Sequence, residues 1–129
     1  MSDFNVLDSG ARQVFETGAQ RDIEDGKTQP GLISPLFLKR LGDHLAAGAQ
    51  KYNQRNWEKG MDFDRIWRST NRHLLQWVLG DRVEDHLAAA AFGLMELIHF
   101  EEMIKRGRLP ASLNDLPQYT ALERNDDAS

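Results

Sequence analysis

Three acidic residues in the second half of the chain have spacings that suit cation binding. Asp81, Glu84 and Asp85 are three and four positions apart, so a helix would present them on one side. Carboxylate oxygens are the ligands that Mg²⁺ prefers, usually one or two of them with substrate phosphates. Asp43, on an earlier predicted helix, could supply a further acid. The alternative is structural, because acids at a helix start cap the helix and complement its dipole.

A histidine and an arginine are adjacent on the preceding predicted helix. His73 lies one turn before Trp77 at the rim of an apolar stripe, where a histidine more often makes a structural hydrogen bond than binds a ligand. Arg72 could clamp a phosphate or form a surface ion pair. Both interpretations of each residue stay open.

The polar segment 51–60 combines cations, aromatic rings and amides. Tyr52 and Trp57 could stack on a nucleobase, Asn56 could read its edge, and Lys51 could meet a phosphate. Equally, Trp57 could plug the end of a helical bundle, with the cations favoured at a helix C-terminus.

Three long helices are predicted to position these residues, over about 34–53, 63–79 and 83–105. Ser34 is a suitable N-cap, and Pro35 suits the first helical position. Gly80 is a typical C-cap for the second helix. Since no segment shows sustained alternation of apolar and polar residues, we expect essentially no sheet. The predicted fold is all-α, an antiparallel bundle of three long helices with short helical pieces.

The predicted helices have wide apolar faces. On the second helix the expected buried stripe is Ile66, Trp67, Thr70, Leu74, Trp77 and Val78. On the third it is Leu87, Ala90, Ala91, Leu94, Leu97 and Ile98. Such faces are wide for a small monomer, so the sequence predicts a homo-oligomer, a dimer or a tetramer.

The helical core is expected over 36–107, between two less regular segments. Residues 1–35 are predicted to be an arm, with a short helix over about 14–20. Residues 108–129 are predicted to be a docking arm that frays into a tail.

Composition excludes several classes of function. The chain has 129 residues, a net charge of −4 and no cysteine. Disulfides and thiolate chemistry are therefore excluded, and the acidic balance argues against nucleic acid or a membrane surface as partner. The longest apolar run, 87–98, is interrupted by Glu96 and too short to span a bilayer. P-loop, dinucleotide-fold and hydrolase-elbow motifs are absent. No signal peptide is visible, so a cytoplasmic location is expected, the host cytoplasm if a phage encodes the chain.

Several short motifs together resemble the phage dATP/dGTP diphosphohydrolase family over about residues 16–102. The motifs are Thr17–Asp22, Gly26–Lys27, Leu32–Ile33, Gly48–Tyr52, Asn56–Gly60, Arg72–Leu74 and Asp85–Ala88. The pattern also looks like the dGTP-cleaving variety carried by phages that use 2-aminoadenine in their DNA. That family is a MazG-like, all-α group of nucleotide pyrophosphohydrolases.

The resemblance implies cleavage of a purine deoxynucleoside triphosphate, dGTP or dATP, between its α and β phosphates. It implies Mg²⁺ or Mn²⁺ as cofactor and a homo-oligomer with sites between packed helices. The chain departs from the wider MazG pattern of acidic pairs, because Asn71, His73 and Gln76 occupy the second helix where acids are expected. The family's ligand set therefore does not transfer by motif.

Our hypothesis assigns each candidate residue a role in that reaction. The metal ligands would be Asp43, Glu84 and Asp85, with Asp81 a weaker candidate. Cations would neutralise the leaving pyrophosphate: Lys51, Arg72 and Lys27. His73 would orient the water or a phosphate oxygen, Trp57 and Tyr52 would stack on the base, and Asn56 would contact base or sugar. The competing hypothesis is a non-enzymatic helical interaction protein.

Overall fold

The computed structural model describes residues 6–119, and its chain divides into two compact units between Ile33 and Ser34. The predicted division lay two residues later, after residue 35. Among the described residues, no helix is long and apolar enough to cross a membrane. The frayed tail predicted for the C-terminus falls largely on residues 120–129, which lie outside the described range.

The first unit contains a small β-hairpin rather than a helix. Strand β1 (Arg12–Val14) pairs antiparallel with β2 (Gln20–Asp22), and Arg12 lies opposite Asp22. The Arg12 guanidinium binds Asp22 Oδ1 at 2.7 Å and both carboxylate oxygens of Asp8. The predictions of a helix over 14–20 and of essentially no sheet were therefore wrong. Each strand has only three residues, too few to show an alternating pattern in the sequence, and the ionic contacts join the two strands.

The second unit is built on three helices: α1 (Pro35–Lys51), α2 (Phe63–Val78) and α3 (His86–Lys105). Within this unit single 3₁₀ turns cover Asn56–Lys59 and Ala111–Leu113, and a further one, Pro30–Leu32, belongs to the first unit. Ser34 Oγ accepts the Phe37 N–H at 3.3 Å, which confirms the predicted cap of α1. Gly80 follows α2 with φ 95°, a conformation that favours glycine.

Helix α3 begins three residues later than predicted because acidic side chains occupy the turn before it. Asp81 Oδ1 accepts the Val83 N–H at 2.9 Å, which holds a non-helical turn. Asp85 is the N-cap, and its Oδ1 accepts the Ala88 N–H at 3.1 Å. The first helical residue is therefore His86.

Helix α3 is the central element and packs against both other helices. The pairs Phe63–Phe100 and His73–His86 join opposite ends of α2 and α3, so these helices are antiparallel. Arg40 of α1 meets Asp85 just before α3, and His44, one turn further along α1, packs on Phe92. The direction of these contacts makes α1 and α3 parallel, as expected for the first and third helices of an up-down-up bundle.

Helices α2 and α3 approach each other closely at Gly93. A Cβ built on this glycine would overlap the Thr70 Oγ1 atom and lie 3.6 Å from Ile66 Cγ2. Thr70 is buried, and its hydroxyl has no hydrogen-bond partner in the described part of the chain. The absence of a side chain at 93 therefore sets the spacing of the two helices.

A small core closes one end of the helices and includes the segment after α3. Its buried centre is Phe63, Ile66 and Phe100. The partly buried side chains that pack on it are Trp57, Leu97, Ile104, Leu109, Leu113 and Leu116. Asp115 Oδ1 accepts the Asp64 N–H at 2.8 Å and so caps α2, whose own N-cap residue Asp62 makes no side-chain cap.

Much of the apolar surface expected in the core is exposed. On α2, Trp67, Leu74 and Val78 belong to the predicted stripe, but all three are exposed. On α3, Leu94 and Ile98 are exposed as well. Of the predicted α2 stripe only Ile66 and Thr70 are buried. The buried face of α3 shares only Ala90 with the predicted stripe, because this helix packs through a neighbouring face that contains His86, Gly93, Glu96 and Phe100.

Candidate functional site

A cavity of about 590 Å³ lies between the three helices and the 3₁₀ turn that follows α1. This volume falls within the usual range of small-ligand sites, about 300–1,000 Å³. Its titratable lining residues, apart from one tyrosine, are His44, Lys51, Arg65, His73, Glu84 and Glu96. The predicted base-binding residues Tyr52, Asn56 and Trp57 line it too. The cavity therefore combines cations, carboxylates, imidazoles and aromatic rings.

A chain of three side chains runs from this cavity into the packed interior. The Nδ1 atoms of His73 and His86 lie 2.9 Å apart, and His86 Nε2 lies 3.1 Å from Asp81 Oδ2. His86 is almost completely buried, whereas His73 is half-buried and lines the cavity. Asp81 thus reaches the cavity only through two imidazole rings.

The proton positions in this chain follow from its end groups. The N–H of Val83 and the hydrogen bond to His86 hold the pKa of Asp81 below its usual value, so Asp81 is an acceptor. His86 Nε2–H then donates to Asp81. In the tautomer in which His86 carries no proton on Nδ1, that atom accepts the Nδ1–H of His73, and the lone pair of His73 Nε2 is free.

Burial and the neighbouring His86 both lower the pKa of His73 below its ordinary value of 6.5. His73 is consequently neutral at physiological pH, with Nε2 able to accept a proton. A neutral imidazole with one oriented lone pair is the form required of a general base or of a metal ligand.

Glu96 lines the same cavity from α3 and is only 5% exposed. No hydrogen bond or ion pair reaches its carboxyl group from any residue between 6 and 119. Burial raises the pKa of Glu96 to about 7. A buried carboxyl without a partner is costly to ionise, so its position inside a cavity indicates contact with a ligand.

The structure separates the four predicted metal ligands. Asp43 is exposed and binds Lys39 at 2.9 Å, and Asp81 binds His86 as described above. Asp85 forms a two-pronged ion pair with Arg40, with Nε–Oδ2 2.8 Å and Nη2–Oδ1 2.5 Å. Only Glu84 lines the cavity. Within residues 6–119 no group of three or more His, Asp or Glu side chains could hold a metal ion, so the expectation that these acids gather in one subunit is corrected.

Asp85 consequently has a structural role, and Asp85→Asn tests it. The Arg40 guanidinium holds the pKa of Asp85 well below its usual range, at about 2. Asparagine keeps the N-cap but removes the charge, and the pair is partly exposed, so we expect a loss of about 0.5–1 kcal/mol in unfolding free energy. Catalytic rates should stay within about twofold. Urea unfolding and steady-state rates check this, and a rate loss above a hundredfold would return Asp85 to the site.

The remaining predicted residues are divided by the structure. Lys51 lines the cavity, but Arg72 is exposed and is not among its lining residues. Lys27 belongs to the first unit, where it lines a separate open cavity of about 740 Å³ with Arg12 and Arg21.

Trp57 packs at the end of the bundle and also faces the cavity. Its ring meets His99 edge-on at a centroid distance of 4.9 Å and packs on the core residue Phe100 at 6.3 Å. It is only half-buried and also lines the cavity, so part of the indole is available to a ligand. The tryptophan closes the bundle end and forms one wall of the cavity.

Some site residues had not been recognised from the sequence. His86 follows Asp85 in an Ala-rich motif that reads as an exposed acid–imidazole pair, and nothing local indicates its burial. Arg65 and His44 carry no distinguishing spacing. Glu96 did carry a signal, because it is the one charge inside the apolar run 87–98.

Comparison with known proteins agrees with the predicted resemblance. A family model described as dATP/dGTP diphosphohydrolase, N-terminal, matches residues 17–108. A protein of Salmonella phage PMBT28 named dATP/dGTP diphosphohydrolase is 35% identical over 78 residues, which cover 57% of this chain and 27% of that protein. The match therefore spans about a quarter of the relative's length. No solved structure matches the chain. Since the family model covers most of the sequence, the chain belongs to the dATP/dGTP diphosphohydrolase family.

Proposed function

We propose that the cavity hydrolyses a purine deoxynucleoside triphosphate, dGTP or dATP, to the monophosphate and pyrophosphate with the help of Mg²⁺ or Mn²⁺. The observation that carries the proposal is the Asp81–His86–His73 chain, which ends at an imidazole ring lining a cavity of nucleotide size. In the tautomer with His73 donating from Nδ1, its Nε2 is free to accept a proton. Family membership supports the same activity, since the relative's name describes a dATP/dGTP diphosphohydrolase.

In this reaction His73 acts as the general base. A water oxygen attacks the α-phosphorus while His73 Nε2 takes its proton, and the bond from the α-phosphorus to the bridging oxygen breaks. The electron pair of that bond leaves with pyrophosphate. His86 and Asp81 hold the ring of His73 in the required tautomer and stabilise the positive charge that develops on it.

The cations of the cavity suit the triphosphate. Lys51 of α1 and Arg65 of α2 line it from two helices, and both side chains are exposed. Their charges would offset the pyrophosphate as it leaves. Arg65 takes the place that the sequence hypothesis gave to Arg72.

The residues of the cavity suit a divalent ion that takes most of its ligands from the substrate, rather than an ion whose ligands all come from the protein. Glu84 lines the cavity, and no described residue pairs with its carboxylate. One or two carboxylates with substrate phosphates are the usual shell of Mg²⁺. Glu84 would therefore hold the ion, which supplies charge neutralisation at the phosphates when bound.

The direct test is incubation of the purified chain with each deoxynucleoside triphosphate and Mg²⁺ or Mn²⁺. We expect nucleoside monophosphate and pyrophosphate from a purine substrate, and loss of turnover when EDTA is added. Release of inorganic triphosphate would indicate a different phosphohydrolase reaction. Absence of turnover and of thermal stabilisation with every nucleotide would favour the non-enzymatic interaction protein.

We also propose that the chain forms a MazG-like homo-oligomer, a dimer or tetramer, through its exposed apolar faces. Trp67, Leu74 and Val78 share one face of α2, and Leu94 and Ile98 lie one turn apart on α3. Exposed apolar patches of this kind mark association surfaces. Light scattering at micromolar concentration is expected to give a multiple of 14.7 kDa, which Leu94→Lys should reduce. A monomer mass for the unmodified chain would overturn the proposal.

A further inference from the structure

Glu96 has no place in the reaction chemistry proposed above, yet it is the most deeply buried carboxyl group of the cavity. The charged and titratable side chains that line the cavity from the other elements are His44, Lys51, Tyr52, Arg65, His73 and Glu84. None of them hydrogen-bonds or ion-pairs with Glu96 among the described residues. A ligand that donates hydrogen bonds would satisfy this carboxylate.

The charge distribution decides which part of a nucleotide lies there. An ionised carboxylate repels phosphates, whereas the exposed Lys51 and Arg65 attract them. Glu96 is instead among uncharged surfaces, since Phe92 and Gly93 precede it on α3 and Trp57 forms a wall of the same cavity. The triphosphate therefore belongs with the cations and the base with Glu96.

A carboxylate discriminates between the two purines. In its ionised form it only accepts hydrogen bonds, through two oxygens. Guanine presents two adjacent donors, N1–H and the exocyclic N2–H₂, that match both oxygens. Adenine presents an acceptor at N1, which faces a carboxylate unfavourably.

We propose that the Glu96 carboxylate binds the N1–H and N2–H₂ groups of guanine and thereby makes dGTP the preferred substrate of this cavity. The inference rests on the proposed function and adds to it the residue that selects the base. Glu96 is a specificity-determining residue, distinct from the His73 chain that acts on phosphate.

The substitution Glu96→Gln tests the proposal. A glutamine donates one hydrogen bond and accepts another, which suits the N1 and N6 edge of adenine. The ratio of kcat/KM for dGTP to that for dATP is expected to fall about 5- to 150-fold, the discrimination of one two-pronged contact. Deoxyinosine triphosphate, which lacks N2–H₂, should bind the unmodified protein about tenfold more weakly than dGTP. The difference in affinity between deoxyinosine triphosphate and dGTP should be smaller in Glu96→Gln.

Glu101→Gln is the matched control, because Glu101 lies on the exposed side of the same helix. It should leave the dGTP-to-dATP ratio unchanged, and thermal unfolding will show that both variants fold. An unchanged ratio in folded Glu96→Gln, with dGTP still hydrolysed, would overturn the inference alone. Failure of the unmodified protein to hydrolyse or bind any purine nucleotide would overturn the proposed function instead.

Discussion

Replacing His73 by alanine is expected to lower kcat for the purine nucleotide by about 10²- to 10⁴-fold, the usual contribution of a positioned general base. KM should change little, because the base acts on water rather than on the nucleotide. Pyrophosphate release under saturating substrate measures this. Asn71→Ala is the control, since Asn71 is exposed on the same helix and its amide bonds only to the Trp67 carbonyl oxygen.

Asp81→Asn tests whether the hydrogen bonds from Asp81 through His86 to His73 orient the His73 ring or only contribute to packing. The Val83 N–H would keep the amide oxygen in the place of Asp81 Oδ1, so the new amide group would face His86 Nε2. That donor reverses both imidazole tautomers and places a proton on His73 Nε2. We expect a loss of kcat with an almost unchanged stability. Retention of full activity by this variant would remove the chain from the mechanism.

The direction of the pKa shift of His73 predicts how kcat depends on pH. The lowered pKa of His73 means that its neutral, base-competent form persists throughout neutral pH. The acid limb of kcat is therefore expected below pH 6.5, the ordinary value. A limb well above that value would mean that another group carries the proton.

Gly93→Ala is expected to destabilise the fold by about 1–3 kcal/mol, because the added methyl group would overlap Thr70 Oγ1 at the α2–α3 contact. For a domain of this size the melting temperature should fall by several degrees, measured by circular dichroism at 222 nm. The double variant Gly93→Ala with Thr70→Ala should recover most of the loss, since the next contact lies at 3.4 Å.

Gly42→Ala is a comparison variant for which no loss of stability is expected. Gly42 lies in α1 with nothing within 4 Å of the position of a Cβ, so alanine should be neutral or stabilising by up to about 1 kcal/mol. Equal losses at positions 42 and 93 would show that general helix effects, not close approach, govern Gly93.

Helix boundaries were predictable because their signals are local. Ser34 and Gly80 mark their helix ends by their own chemistry. The start of α3 was missed because Asp81 and Asp85 each bind a backbone N–H, and type alone cannot show which acid is the cap. The hairpin was missed because Arg12 joins Asp22 across a three-residue strand pair, a contact without a local pattern.

The candidate site also combines features with local signals in the sequence and features that depend on distant contacts. Residue types predicted ligand contacts within 51–60, and Lys51, Tyr52, Asn56 and Trp57 do line a cavity. Asp85 was misassigned because its partner is distant in sequence. Arg40, which pairs with Asp85, is 45 residues away, and no spacing rule connects them.

The contacts made after α3 set a practical limit on shortening the chain. Leu113 and Leu116 cover the core, and Asp115 holds the first turn of α2 by accepting the Asp64 N–H. Deletion beginning at residue 111 would leave that turn to fray and admit water beside Phe63. Shortened or fused versions that keep helices α1 to α3 must therefore also keep the chain through Leu116.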